Sequence, residues 1–190
     1  MDLPGGLCLT AGESRSKEPR RMADSLDIDR VLAEFDRAIA RAATPADCWR
    51  GLQRLAAGLV GCRLFTVTAV DTAAGVARRI YTSNPDAYPV SGTKPIEPNA
   101  WTAQVIGRQE MFVANALPDI AKVFPDHELI GSLGCGAVIN LPLILAGKVE
   151  ATVNILDQTG KYGPAAADAV SRHLPIPAKL ALLAAYRLGE

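Results

Sequence analysis

Apolar residues recur every three or four positions from Ile28 onward, which is the spacing of one face of an α-helix. A second helix begins at Thr44, whose side chain can cap it, and Pro45 and the acidic Asp47 both suit its first turn. Cys48 falls on the apolar stripe of this second helix, so we interpret it as a core residue. The pattern therefore predicts two amphipathic helices at the start of the folded domain.

The spacing becomes strand-like at residues 64–70, where β-branched residues are frequent, and residues 76–82 return as the second strand of a hairpin. Residues 83–98 contain four prolines and are typical of one long loop. A long loop in a compact domain is either a functional lid or a disordered segment. We predict a lid that becomes ordered when a ligand binds.

A second hairpin is the clearest unit in the chain, with apolar strands at residues 137–145 and 148–156 joined by Ala146 and Gly147. The sequence is helical again from Pro164, and Pro175 interrupts it, so we expect a kink or two separate helices there. The elements predicted between the hairpins are a helix at 99–108, a strand at 111–113 and one or two helices at 117–133.

This order of elements, with the stretch GCGAVINLPLILAGKVEATVNILD at residues 134–157, resembles the GAF family of small-molecule sensor domains. The resemblance covers roughly residues 28–185 and is most specific in the second hairpin. It implies an α+β fold whose central antiparallel sheet carries the terminal helices on one face. Loops and short helices would enclose a pocket on the other face. Because the family binds very different ligands, the fold does not identify the ligand, and the cofactor is unknown.

The domain organisation follows from composition. Residues 1–24 are rich in Gly, Pro, Ser and charged side chains, which predicts a disordered leader before a single domain at residues 25–190. Met22 is an alternative start of translation, because the patterned sequence begins a few residues later. Since nothing in the chain reads as a kinase, cyclase or DNA-binding module, we expect a stand-alone domain without an output domain.

The charge balance argues against nucleic acid as a partner, because 20 Lys and Arg residues match 20 Asp and Glu residues. Every apolar run is interrupted before it reaches the length of a membrane span, and no secretion signal is evident. The four cysteines form neither a CxxC pair nor a zinc-ligand spacing. We therefore predict reduced thiols, no metal site and a cytoplasmic location, without membrane contact.

Three aromatic residues cluster around the long loop of a chain that is poor in aromatics: Tyr81, Tyr88 and Trp101. They form either one wall of a ligand pocket or anchors that pin the loop to the sheet. Both alternatives fit the sequence equally well.

Asn140 lies in the first strand of the second hairpin. If Leu145 pairs with Lys148, Asn140 shares a face with apolar residues of both strands, and Asn154 belongs to the other face. A buried amide costs about 1–3 kcal/mol unless it is hydrogen-bonded, so Asn140 must bond to backbone, water or ligand. A register slip of one residue would place it on the opposite face.

Cys135 lies between two glycines at the entry to a strand, where a ligand could reach it, although a small buried residue at a tight turn explains it as well. His127 begins a helix beside Asp126 and is either a solvated first-turn residue or a ligand-contacting, acid–base residue that Asp126 or Glu128 orients. Asp126 is therefore a candidate ligand-site residue as well. The sequence does not reproduce the spaced cysteines of GAF-like methionine-sulfoxide reductases.

The leading hypothesis is a small-molecule sensor or ligand carrier that dimerises through its terminal helices, residues 28–60 and 164–188. The alternative is an enzyme with Cys135 as nucleophile or redox centre and His127 as its acid–base residue. A third possibility is a structural subunit with a vestigial pocket. No glycine-rich phosphate loop supports nucleotide binding through such a motif.

Overall fold

The computed structural model of the protein describes residues 18–90 and 92–189, with side chains described from Asp27 onward. The fold is α+β, as the sequence predicts. The helices are α1 (Glu18–Ala40), α2 (Pro45–Val60), α3 (Ala100–Thr102), a π-helix (Ala103–Gly107) that continues α3, α4 (Leu117–Ala121), α5 (His127–Ser132), α6 (Pro164–His173) and α7 (Pro175–Arg187). The strands are β1 (Leu64–Asp71), β2 (Val76–Thr82), β3 (Lys94–Pro95), β4 (Phe112–Ala114), β5 (Ala137–Leu145) and β6 (Lys148–Asp157).

A six-stranded antiparallel sheet in the order β3-β2-β1-β6-β5-β4 forms the centre of the molecule. The helices α1, α2, α6 and α7 contribute to the main apolar core with one face of this sheet. That face carries Phe65, Val67, Ile139, Val153 and Ile155, all fully buried. Since side chains alternate along a strand, the residues between them point to the other face.

The second helix begins as the sequence predicts. The Thr44 hydroxyl accepts a hydrogen bond from the Asp47 backbone N–H, and the Asp47 carboxylate accepts one from the Thr44 N–H. This reciprocal capping box, with Pro45 in the first turn, defines where α2 starts. Cys48 and Trp49 are buried in the core that α2 forms.

Two elements differ from the expectations. The first helix begins at Glu18 and not near Ile28, because the Glu, Arg, Met and Ala residues at 18–23 are good helix formers. Residues 1–17, most of the predicted leader, lie outside the described residues, so a disordered leader stays a prediction for them. Within the loop at 83–98, Lys94 and Pro95 form a short strand on the edge of β2.

The helical sequence after Pro164 divides into two helices, as predicted. Leu174 separates α6 from α7, and Pro175 lies in the first turn of α7, where its missing N–H costs no helical hydrogen bond. No helix in residues 18–90 and 92–189 is long and apolar enough to cross a membrane.

The second hairpin has the predicted turn pairing, Leu145 with Lys148, but a bulge between Leu143 and Ile144 shifts the register beyond it. As a result, Asn140 lies directly opposite Asn154. The prediction that these two amides occupy different faces is therefore wrong. One extra residue in a strand moves every side chain beyond it to the other face relative to the partner strand.

Candidate functional site

A cavity of about 410 Å³ lies on the face of the sheet opposite the terminal helices. Alternate residues of β1, β5 and β6 form its floor. The loop before α3, α3 itself and the segment 120–130 form its walls and roof.

The polar floor, as we call it, comprises Thr66, Thr68, Asn140, Thr152 and Asn154. Hydrogen bonds join its members across three strands. The Asn140 amide N–H donates to the Asn154 carbonyl oxygen at 2.7 Å, and the Asn154 amide N–H donates to the Thr66 and Thr68 hydroxyls at 3.0 and 3.2 Å. The floor is held in one arrangement by its own side chains, which is the preorganisation that a binding site needs.

Thr152 is the exception in the polar floor. Its side chain is buried, and its hydroxyl oxygen has no hydrogen-bond partner among the described residues. It pairs across the sheet with Pro142 on one side and Thr68 on the other. A buried hydroxyl without a partner costs about 1–3 kcal/mol, and Thr152 is one of the residues that line the cavity.

Aromatic rings form one wall. Trp101 and Phe124 meet edge to face with centroids 5.7 Å apart, and Phe112 packs against Phe124 at 6.3 Å. The Trp101 indole N–H also donates to the Asn140 carbonyl oxygen at 3.0 Å, which ties this wall to the floor. The wall therefore offers apolar ring surfaces to a ligand, and its one N–H donor, that of the Trp101 indole, is already hydrogen-bonded to Asn140.

The helix that carries Trp101 is positioned by Asn99. Asn99 and Thr102 form a reciprocal capping box, and the Asn99 amide N–H donates to the Val123 carbonyl at 3.2 Å. The chain then continues as the π-helix Ala103–Gly107. Such rare helical turns occur frequently at functional sites.

The charged mouth, as we call it, consists of Arg79, Tyr88 and Asp126 at the edge of the cavity. The Arg79 guanidinium lies 3.7 Å above the Tyr88 ring and donates to the Pro89 carbonyl at 2.7 Å. The Tyr88 hydroxyl donates to the Asp126 carboxylate. Burial, followed by the Asp126 charge, raises the pKa of the Tyr88 phenol, so the phenol stays protonated and remains a donor.

Solved structures with the same architecture include GAF domains. The chain is similar to the GAF domain of a phosphoenolpyruvate-protein phosphotransferase from Coxiella burnetii, with a TM-score of 0.62, 14% identity and coverage of 85% of this chain and 94% of that one. The chain has the GAF fold. No protein-family model matches it, and no curated protein sequence matches it.

Two further structures with this fold illustrate its range. The GAF domain of a two-component sensor histidine kinase from Bacillus halodurans has a TM-score of 0.59 at 11% identity, covering 77% of this chain and 99% of that one. Free methionine-R-sulfoxide reductase from Neisseria meningitidis, solved with its substrate, has a TM-score of 0.60 at 15% identity, and the match covers 96% of this chain and 98% of that one. At these identities the likeness concerns the fold alone.

Within this GAF fold, the structure brings four of the predicted residues to one cavity: Tyr88, Trp101, Asp126 and Asn140. Tyr81 does not join them, so its predicted place in the pocket is wrong. Its hydroxyl donates to the Gln53 side chain on α2 at 2.7 Å. A register shift between Val67 and Thr68 places Tyr81 opposite Val67, on the helix face. The loop-anchoring alternative does not apply to Tyr81 either, because its contacts are with the core.

Cys135 and His127 do not line the cavity. Cys135 is 3% exposed and belongs to a second apolar cluster beside the cavity wall. Burial raises the pKa of its thiol, Arg63 lowers it and Asp157 raises it, and His127 has no part in this shift. The His127 ring nitrogen Nδ1 instead lies 3.1 Å from the Phe124 carbonyl. The described geometry therefore does not bring the two together as nucleophile and base.

Sequence analysis missed the residues that complete the site, namely Arg79, Thr66, Thr68, Thr152 and Asn154. A signal for the last four is present, because polar residues alternate with apolar ones in two otherwise apolar strands. Arg79 has a weaker signal, since it is one of two adjacent arginines in β2. Across residues 18–90 and 92–189, no group of three or more His, Cys, Asp or Glu side chains could hold a metal ion.

Proposed function

We propose that this chain is a small-molecule-binding sensor or ligand-carrier domain. The observation that carries the proposal is the polar floor, in which two amides and three hydroxyls line a cavity of about 410 Å³. Few, well-placed polar groups beneath apolar walls are typical of small-molecule sites.

We propose that the loop at residues 83–98, of which 83–90 and 92–98 are described, acts as a lid over the cavity. It contributes Tyr88 and residues 94–97 to the cavity, and its own hydrogen bonds include the Tyr88 N–H to the Asn84 carbonyl at 2.9 Å. We expect a bound ligand to protect this loop from limited proteolysis. Equal cleavage with and without the ligand would count against a lid.

Native mass spectrometry of the protein purified from its own host tests the function itself. We expect a retained small molecule. Its rebinding can be followed by the two indole N–H resonances of ¹⁵N-labelled protein, because Trp101 touches the polar floor and Trp49 lies in the helix core. The ligand should shift the Trp101 resonance and leave that of Trp49 unchanged.

A matched pair of variants completes this test. Asn140→Ala removes an amide from the polar floor, and Gln158→Ala removes an exposed amide that does not line the cavity. We expect Asn140→Ala to weaken binding at least about tenfold and Gln158→Ala to leave it unchanged. If host extracts contain no compound that shifts Trp101, the proposed function is wrong.

The terminal helix α7 supplies the surface for the proposed homodimer. Ile176, Leu180 and Leu183 are exposed at a spacing that places them on one side of α7. We propose that a second copy covers this stripe. Sedimentation at micromolar concentration should show a dimer that Leu183→Glu converts to a monomer, and a monomeric parent protein would reject the dimer.

A further inference from the structure

Four charged residues line the cavity, namely Arg79, Lys94, Glu97 and Asp126, and the Arg79 side chain is the least exposed of them. Arg79 enters from β2, where it pairs across the sheet with Thr68. Thr68 in turn pairs with Thr152. The guanidinium therefore belongs to the same cross-strand row as the unpartnered hydroxyl of the polar floor.

The hydrogen bonds of Arg79 are incomplete. Its side chain is only 16% exposed, and its Nη1 donates to the Pro89 carbonyl. Its Nη2 faces the Asp126 carboxylate at 3.9 Å, which is too long for a hydrogen bond. A mostly buried guanidinium has five N–H donors, so this arrangement leaves several of them unused among the described residues.

Asp126 is a poor permanent partner for this cation. The carboxylate oxygen nearest to Arg79 already accepts the Tyr88 hydroxyl. Arg79 is held instead by stacking on the Tyr88 ring, which positions the guanidinium without using its in-plane donors. A planar guanidinium with free in-plane donors is the group that binds carboxylates and phosphates in a bidentate way.

We propose that Arg79 binds an anionic group, a carboxylate or a phosphate, of the small molecule that occupies this cavity. The polar floor then receives an uncharged hydrogen-bonding part of the same molecule, and the aromatic wall contacts its apolar part. The ligand anion then gives Arg79 the hydrogen-bonded partner that the Asp126 carboxylate, 3.9 Å away, does not provide. This inference rests on the proposed function and adds the ligand's charge to it.

Three aromatic probes test the charge requirement: benzoate, its uncharged isostere benzamide, and phenyl phosphate. Their rings suit the wall formed by Trp101 and Phe124. Binding to the full chain is measured through the Trp101 indole resonance, with Trp49 as the internal reference. We expect benzoate or phenyl phosphate to bind at least about tenfold more tightly than benzamide, and the tighter of the two identifies the anion.

Two substitutions with opposite expected effects separate recognition from folding. Arg79→Gln should reduce the affinity of the anionic probe to that of benzamide. Asp126→Asn should increase it, because the competing carboxylate is gone while its amide oxygen still accepts the Tyr88 hydroxyl. Arg78→Gln is the matched control, since it removes the same charge from an exposed neighbouring residue that does not line the cavity.

The outcomes separate this inference from the proposed function. Equal affinities for benzoate and benzamide, or anion affinity that survives Arg79→Gln, would overturn the anion site while the cavity still binds small molecules. The anion site would also be contradicted if Asp126→Asn left the affinity for the anionic probe unchanged or lowered it. If none of the probes shifts the Trp101 resonance, the anion site is overturned. If host extracts also fail to shift it, the proposed function is overturned as well.

Discussion

The two faces of the central sheet are built from alternate residues of the same strands, yet they differ in what they bury. On the helix face, Phe65, Val67 and Ile155 pack into the main apolar core. On the cavity face, the intervening positions hold threonines and asparagines that bond to one another. We expect the helix face to supply most of the stability, whereas the cavity face retains one buried hydroxyl, that of Thr152, without a partner among the described residues.

Ile155→Ala tests the helix face and has the largest expected effect. The residue is fully buried between the sheet and the helices, so its truncation should leave a cavity and lower the free energy of unfolding by about 2–5 kcal/mol. Urea denaturation measures this loss. A loss below about 1 kcal/mol would show that the helix face is not the main source of stability.

Alkaline pH provides a second test of the helix face, through the Cys62 thiol that packs against it. Burial raises the pKa of Cys62 from 9.0 to about 12. The protonated thiol therefore stabilises the fold fully below about pH 9, and this contribution is lost as the pH rises towards 12.

Between about pH 9 and pH 12, we expect the free energy of unfolding to fall by up to about 1.4 kcal/mol per pH unit. Cys62→Ala should reduce the pH dependence of the unfolding free energy, measured by denaturation at pH values on both sides of the ordinary thiol pKa. Tyr88, whose phenol pKa burial also raises, contributes equally to parent and variant. Burial and, after it, Cys62 itself raise the pKa of the Tyr162 phenol, so part of the Tyr162 contribution is lost together with Cys62. An unchanged slope would contradict the role of Cys62.

Asn154→Ala tests the cavity face. The substitution removes the acceptor of the Asn140 amide and the donor to two threonine hydroxyls, so we expect a loss of about 1–3 kcal/mol. The Trp101 indole resonance should move too, because Asn140 is its acceptor. If stability falls without a change at Trp101, the hydrogen-bond chain of the floor does not act as a unit.

Thr152→Val has the smallest expected effect on stability. Unlike the substitutions above, it is expected to leave stability unchanged or to increase it. Valine matches the shape of threonine and removes a hydroxyl that has no partner among the described residues. We expect unchanged stability or a gain of up to about 1 kcal/mol, together with weaker ligand binding. A clear destabilisation would show that the hydroxyl is already satisfied in the unliganded protein.

The predictable parts of this protein are those that depend on neighbouring residues in the chain. The capping box at Thr44, the turn at Ala146 and Gly147, and the break at Pro175 all follow from local stereochemistry. Hydrophobic periodicity likewise predicts the burial of Cys48. The α+β class and the order of elements were accordingly predictable.

The candidate site was predictable only in part. The scarcity of aromatics makes Trp101 a candidate for the pocket wall, and the cost of a buried amide requires a hydrogen-bond partner for Asn140. Both residues line the cavity. Tyr81, a candidate for the same wall, lies on the helix face, and Arg79 is not among the candidates. A pattern that alternates every second residue locates polar positions in a strand, but it does not reveal which face they share.

The sequence by itself determined the helices, the strands and the two hairpins, because these depend on interactions over a few residues. Only the tertiary structure decided that Asn140 meets Asn154 and that Arg79, not Tyr81, reaches the cavity. Both outcomes depend on register shifts, between Leu143 and Ile144 and between Val67 and Thr68. A bulge arises from how two strands pack within the whole sheet, and one such residue reverses the face of every side chain beyond it.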